Sequence, residues 1–261
     1  MEVRVEHLEG PDAGIVLLGL DRPLAKNALG RELLTQFRQS LAALRLDATV
    51  RVVVVHSLVQ GIFCAGADLK ERTTMSPAET AAYVQGIRDA FDELEDLPMP
   101  TIAAIEGGAF GGGLEMALAA DLRVVGSEAR MGLVETALAI IPGAGGTQRL
   151  PRLIGISRAK ELIFTARRIG AEEAERLGLI NQLVAVGEAL SAALALAREI
   201  LSNGPLAVRL AKQALDGGSQ LSLTAGLAFE QACYAQVIAT KDRLEGLAAF
   251  REKRKPHFRG E

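Results

Sequence analysis

The segment TIAAIEGGAFGGGLEMALAAD, running from Thr101 to Asp121, changes character twice. Thr101–Glu106 is short and largely apolar, as a buried strand is. Gly107-Gly108-Ala109-Phe110-Gly111-Gly112-Gly113 is a glycine run. The apolar stretch that follows predicts a helix opening at Gly112 or Gly113 and ending near Ala120. A strand passing through glycines into a helix start lets a ligand approach bare backbone N–H groups at the positive end of a helix dipole. Read alone, the glycines serve equally well as tight turns under close helix packing.

Several phosphate- and acyl-binding signatures are missing. No Gly-Lys-Ser or Gly-Lys-Thr closes a P-loop, and the GxGxxG spacing is absent from residues 107–113. No GxSxG elbow offers a serine nucleophile. Two other small-residue segments accompany the glycine run. Gly61–Arg72 (GIFCAGADLKER) follows the apolar stretch Arg51–His56, with Asp68 placed to cap the turn after it. Pro142–Thr147 (PGAGGT) is the third.

Outward from this centre, Ile15–Leu20, Arg51–His56 and Leu122–Val125 read as further strands. Arg51–His56 has no polar alternation, so both of its faces should be covered. Helical patterns occupy Arg31–Leu46 and Pro77–Leu97, the latter with Ser76 as cap ahead of a first-turn proline. From about Ala171 the chain is mostly helical, with candidates at Gly187–Leu201, Pro205–Leu215, Leu223–Ala239 and Asp242–Arg254. The expected organisation is an α/β core over residues 1–195 and a helical region over 196–261.

Composition narrows the function classes. The 261 residues are 49% hydrophobic but only 4% aromatic, with net charge −3. A sizeable aliphatic core is therefore available. The longest uncharged stretch, Val52–Ala67, is interrupted by His56, Gln60 and glycines and is too short to span a membrane. Cys64 and Cys233 are too few for a disulfide framework and fit a reducing compartment. His7, His56 and His257 are scattered, so no metal site is expected. Glu2, Glu6 and Glu9 give the N-terminus neither a signal nor a transit character. The expected location is the cytoplasm, or the mitochondrial matrix for a mature imported form. Overall charge provides no attraction for nucleic acid.

CAGADLKE, GGGLEMALAAD and IPGAGGTQRLPR, in this order, resemble the crotonase (enoyl-CoA hydratase) superfamily over essentially the whole chain. GIFCAGADLKER, MGLVET and ACYAQ followed by TKDRLEGL are similar to its AU-binding methylglutaconyl-CoA hydratase branch. The resemblance implies a spiral of ββα units with a C-terminal helical region for assembly into trimers or pairs of trimers. It implies an acyl-CoA thioester substrate and no separate cofactor, coenzyme A being part of the substrate. In this branch the reaction would hydrate 3-methylglutaconyl-CoA in leucine breakdown. Ala67 and Gly112 match the two N–H donors to the thioester carbonyl, Glu115 and Glu135 the two catalytic glutamates, and Gly143 a donor to the water. Ala65, Gly66, Asp68, Leu69, Lys70 and Gly111 fall at substrate-binding positions. Phe250 and Lys253 match C-terminal positions that reach CoA, in many members from a neighbouring subunit.

The chemistry agrees with those residue types. Hydration of an α,β-unsaturated thioester builds negative charge on the carbonyl oxygen, which two preorganised N–H groups stabilise; losing one such donor costs about 3–4 kcal/mol in related chemistry. A base must take a proton from water, and an acid must give one to the α-carbon. Glu115, in the first helical turn, is expected to be kept ionised by the dipole. Glu135, among apolar neighbours, is expected to be raised and to donate. Outside the motif a helical Glu is usually solvated, but Leu114–Ala120 is too apolar for that reading. Asp121, Cys64 and His56 read as structural.

Alternatives are a general short-chain enoyl-CoA hydratase and an enoyl-CoA isomerase. Other chemistries of the superfamily often lack one glutamate, whereas both are retained here. Straight-chain hydratases commonly carry Gln-Pro where this chain has Leu133-Val134. An RNA-binding role is associated in this branch with a helix bearing lysines at i, i+4 and i+8. The matching positions here are Arg31, Thr35 and Gln39, and the chain has 22 Arg but only 7 Lys. Weak or no specific RNA binding is expected. A gel shift with AU-rich RNA at physiological salt should show no tight complex; a tight one would overturn this reading.

Overall fold

The computed structural model describes residues 1–261. The chain opens with an antiparallel pair, β1 (Val3–His7) and β2 (Ile15–Leu20), followed by helix α1 (Arg31–Leu46). It then winds in turns that each add one strand to a large sheet and one to a small sheet. The first turn is β3 (Val52–Ser57), β4 (Ile62–Cys64), the short α2 (Leu69–Arg72) and α3 (Pro77–Glu95). The second is β5 (Thr101–Ile105), β6 (Gly108–Phe110) and α4 (Gly112–Ala119). The third is β7 (Leu122–Gly126), β8 (Arg130–Gly132), α5 (Gly146–Ile154) and α6 (Ile156–Thr165). Strand β9 (Ile169–Gly170), α7 (Ala171–Arg176) and β10 (Gln182–Val184) close the sheets. Helices α8 (Ala189–Leu201), α9 (Pro205–Gly218), α10 (Leu223–Ile238) and α11 (Lys241–Glu252) follow.

The large sheet runs β1-β2-β3-β5-β7-β10 and the small sheet β4-β6-β8-β9. All neighbours are parallel except β1–β2 and β8–β9. This is the α/β spiral of ββα turns that the resemblance implied.

Strand β3 explains its own unbroken valine run. Val53 and Val55 face the main core with Leu33, Phe37 and Phe91. Val52 and Val54 face a second core completed by Ala189, Ala193 and Ala197 of α8. Those alanines, four residues apart, give α8 one small-residue face on which it lies close to the sheet.

The sequence reading needs correction at the small sheet. Gly61–Arg72 and Gly107–Gly113 read as ligand-facing small-residue loops, yet Ile62–Cys64 and Gly108–Phe110 are paired strands. Three residues are too few to display a period of two, and glycine disfavours strands on average. Helix α3 carries the expected cap. Ser76 Oγ accepts from Glu79 N at 3.3 Å, and Glu79 Oε2 accepts from Ser76 N at 2.9 Å. The reciprocal pair is a capping box.

Asp121 is structural, as read from sequence. Its Oδ2 accepts from Thr101 N at 2.7 Å and from Lys212 Nζ at 2.8 Å, fastening α9 to the beginning of β5. No helix is long and apolar enough to cross a membrane.

Candidate active site

Three segments meet in a cleft of about 120 Å³: the turn after β4, the start of α4, and the stretch from Val134 to Ala144. Gly66 makes the first two touch. Its φ is +93°, and a Cβ there would sit 2.6 Å from the Phe110 carbonyl oxygen and 3.2 Å from Gly112 N. No side chain fits, so the turn lies directly against the helix start. As a result the Ala67 nitrogen is 3.7 Å from the point where a Gly112 Cβ would be.

Every group flanking Ala67 is tied down. Gly66 O accepts from Leu29 N at 2.8 Å, and Asp68 N donates to the Tyr83 hydroxyl at 3.1 Å. That hydroxyl in turn donates to Leu29 O. Asp68 caps α2 by accepting from Lys70 N and Glu71 N, and Arg22 Nη1 donates to its Oδ2 at 2.7 Å. The Ala67 N–H itself has no acceptor in the protein. Gly112 is the first residue of α4, where an N–H has no intrahelical acceptor. Two fixed donors thus stand beside each other at the cleft.

Glu115 is 3% exposed, on a helix that is buried along its whole length. Its Oε1 accepts from Gly146 N at 2.7 Å and from Ala144 N at 2.9 Å. Burial pushes this carboxyl up, opposed by the two N–H groups and by Arg149 and Arg88. Desolvation thus works against the ionised form that the helix start favours at Glu115. Glu135 opens a 3-10 turn, Glu135–Leu138, and its Oε2 is buried without a partner. Burial, then the charge of Glu115, push Glu135 up to about 7. Two carboxyls in one cleft cannot both ionise freely, so the pair holds one proton near neutrality.

The Ala144–Gly146 loop is held from behind. Arg149 Nη1 donates to Ala144 O at 3.1 Å, and its Nη2 pairs with Asp92 at 2.7 Å and Glu95 at 2.5 Å on α3. Arg88 Nη2 donates to Gly143 O at 2.7 Å. Sequence reasoning missed this support, along with Arg22 and Tyr83. No local sequence pattern marks it, because Arg149 and its acids Asp92 and Glu95 stand 57 and 54 residues apart.

Of the residues expected to form the site, Ala65, Gly66, Ala67, Leu69, Gly111, Gly112, Glu115, Glu135 and Gly143 line the cleft. Asp68 supports it from behind. Lys70 is exposed and outside the lining. Phe250, 87% exposed, and Lys253, just past α11, do not reach the cleft within one chain. Cys64 is buried, its thiol pushed up to about 12 by burial, and it donates to Asn27 O. It is packing, not a nucleophile. A larger cavity of about 980 Å³ lies between α1 and α3, lined by Arg31, Thr35 and Gln39 among others, and holds neither glutamate of the pair.

The α/β spiral thus brings two carboxyls and two free N–H groups into one cleft. The enoyl-CoA hydratase/isomerase family model matches residues 10–261. A mouse protein named methylglutaconyl-CoA hydratase, mitochondrial, is 54% identical over 100% of this chain and 84% of its own length. An Arabidopsis thaliana protein named probable enoyl-CoA hydratase 2, mitochondrial, is also 54% identical, over 99% of this chain and 86% of its own. The crystal structure of an enoyl-CoA hydratase from Bacillus anthracis superposes with a TM-score of 0.97 at 48% identity, covering 100% of both chains. The chain belongs to the enoyl-CoA hydratase/isomerase family.

The raised Glu135 has a consequence for stability. The native state holds this proton up to about pH 7, whereas an unfolded Glu releases it near its ordinary value of 4.5. Between those limits the native state binds more protons, so its stability falls as pH rises. Gln cannot ionise. The melting temperature of Glu135→Gln relative to wild type should therefore climb from pH 4.5 to pH 7 and level off above. A difference that stays flat from pH 5 to pH 8 would contradict the assignment.

Proposed function

We propose that the protein hydrates the double bond of an α,β-unsaturated acyl-CoA, converting 3-methylglutaconyl-CoA to 3-hydroxy-3-methylglutaryl-CoA. The observation that carries the reading is the pairing of Glu115, fixed by two N–H groups, with Glu135, raised and unpartnered, in the cleft of Ala67 and Gly112.

The thioester oxygen sits between Ala67 N and Gly112 N, where enolate charge is met by two fixed dipoles and the start of α4. Glu115 uses its second oxygen as base toward water, with Gly143 N as a further donor to that water. The hydroxyl adds to the β-carbon. Glu135 gives its proton to the α-carbon, and the proton taken by Glu115 restores the pair's single proton. Electrons move from water through the double bond to the thioester and back, so no redox cofactor enters.

A second reading, a general short-chain enoyl-CoA hydratase, is favoured by the equal identity to relatives carrying either name. The apolar faces left open on the last helices, with Leu215 71%, Leu223 80% and Tyr234 64% exposed, fit assembly into a trimer or a pair of trimers. In such an assembly Phe250 and Lys253 would contact CoA bound to a neighbouring copy. A reducing compartment, bacterial cytoplasm or mitochondrial matrix, suits the two buried free thiols.

Hydration of crotonyl-CoA and of 3-methylglutaconyl-CoA tests both readings. Glu115→Gln and Glu135→Gln should each lower kcat by about 100-fold or more, the scale of lost acid–base catalysis. Activity surviving both changes would remove the mechanism, and better turnover of crotonyl-CoA would select the general hydratase. Arg149→Met should lower kcat at least about 10-fold with little change in KM, since it loosens the loop that orients Glu115. A variant that is folded and fully active would show that the loop holds without Arg149.

A further inference from the structure

We propose that Arg72 reads a distal carboxylate on the acyl chain and so sets this cleft's preference for dicarboxylic over plain enoyl-CoA substrates. The inference rests on the hydratase reading above and names the group that would recognise the far end of its substrate.

The cleft is unfriendly to a second negative charge. Two of its lining residues are the carboxyls Glu115 and Glu135, and most of the rest are aliphatic, such as Val84, Ile87, Leu138 and Ile141. A carboxylate placed there without a counter-charge would be desolvated beside like charges. Arg72 is the one cationic side chain that lines the cleft.

Its guanidinium is also unspent. Each of the other half-buried or buried arginines has a partner: Arg22 with Glu2 and Asp68, Arg38 with Glu93, Arg51 with the Asn203 carbonyl, Arg123 with the Leu179 and Ala120 carbonyls, Arg149 with Asp92 and Glu95, and Arg209 with the Val50 carbonyl. The guanidinium of Arg72 makes no hydrogen bond or ion pair with the protein, though it is only half exposed. The acids close to it in sequence are occupied. Asp68 is held by Arg22, and Glu71 accepts from Arg31 N and faces Arg22. A guanidinium free of protein partners, on a residue that lines the cleft, offers the planar fork of donors that grips a carboxylate at two points.

Placement along the substrate is consistent. Asp68 caps α2 directly after the Ala67 donor, and Leu69 and Arg72, three residues apart, share the helix face that lines the cleft. At about 1.5 Å rise per residue, Arg72 lies about 4.5 Å along the helix from Leu69. Arg72 thus stands five residues past the Ala67 donor and lines the same cleft.

Arg72→Met and Arg72→Lys test the proposal through ratios. The quotient of kcat/KM for 3-methylglutaconyl-CoA over crotonyl-CoA should fall about 100-fold in Arg72→Met, the scale of leaving one partner of a charge pair alone. Arg72→Lys should recover part of it. In parallel, calorimetric binding of glutaryl-CoA relative to butyryl-CoA should weaken by a similar factor, with or without turnover. A quotient unchanged within about threefold, or equal losses on both substrates as a contact with the CoA phosphates would give, overturns the proposal. If wild type hydrates neither substrate, the hydratase reading fails instead, while the binding quotient still decides the role of Arg72.

Discussion

A carboxyl on a wholly buried helix has to find donors inside the protein, because leaving it unpaired there costs several kcal/mol. Glu115 finds them in Ala144 N and Gly146 N, both on one oxygen. Much of the site follows from this requirement. The loop must bring two amides to one point, so it is built of Pro142, Gly143, Ala144, Gly145 and Gly146, with little side chain to obstruct the approach. Having spent its amides, the loop needs another anchor, and Arg149 supplies it by joining Ala144 O to the acids of α3. The second oxygen of Glu115 takes no hydrogen bond from the protein.

The opposite wall is tied to the same helix. Tyr83, also on α3, accepts from Asp68 N and donates to Leu29 O, fixing the turn that presents Ala67. Tyr83 and Asp92 are about 13.5 Å apart along the helix axis. Helix α3 is therefore a strut to which the Ala67 turn is fastened at Tyr83 and the loop that holds Glu115 at Asp92 and Glu95. Its capping box and its buried face, Tyr83, Ile87, Ala90, Phe91 and Leu94, make it rigid enough for the task. The turn that carries Ala67 and the loop that donates to Glu115 are then both tied to one helix, which limits how far they can drift apart.

Sequence disclosed the parts of this arrangement that rest on long periodic patterns or on motifs. Arg31–Leu46 is found as read, because its apolar stripe spans more than four turns. Strand β2 likewise coincides with Ile15–Leu20. The cleft-lining residues Ala67, Gly112, Glu115 and Glu135 were legible only through the family motifs, since a helical glutamate by itself looks like a surface residue. The small sheet was not legible: β4, β6 and β8 are three residues each, and two of them contain glycine. Arg149, Arg22 and Tyr83 were invisible for another reason. Their partners lie 15 to 57 residues away in sequence, and no short-range periodicity marks such a pairing. Lys70 shows the converse limit: it matches a motif position yet is exposed and outside the cleft lining in a single chain.

The scarcity of aromatics, 4% of the chain, has a cause in the same geometry. Ala67 N and Gly112 N come from different layers, the turn after β4 and the start of α4. They can act on one oxygen only if those layers touch through backbone. Gly113 shows how close they are: a Cβ there would overlap the Cys64 carbonyl. A bulky side chain between β4 and α4 would part the layers and separate the two donors. Away from that contact, space returns. Phe37 of α1 and Phe91 of α3 are fully buried and fill the main core. On the far face of the large sheet the alanine edge of α8 again brings helix and strands together. Small residues thus gather where layers must meet, and the few large ones where they need only be held apart. The composition reflects a site made of backbone, whose donors are set by how near two chain segments can pass.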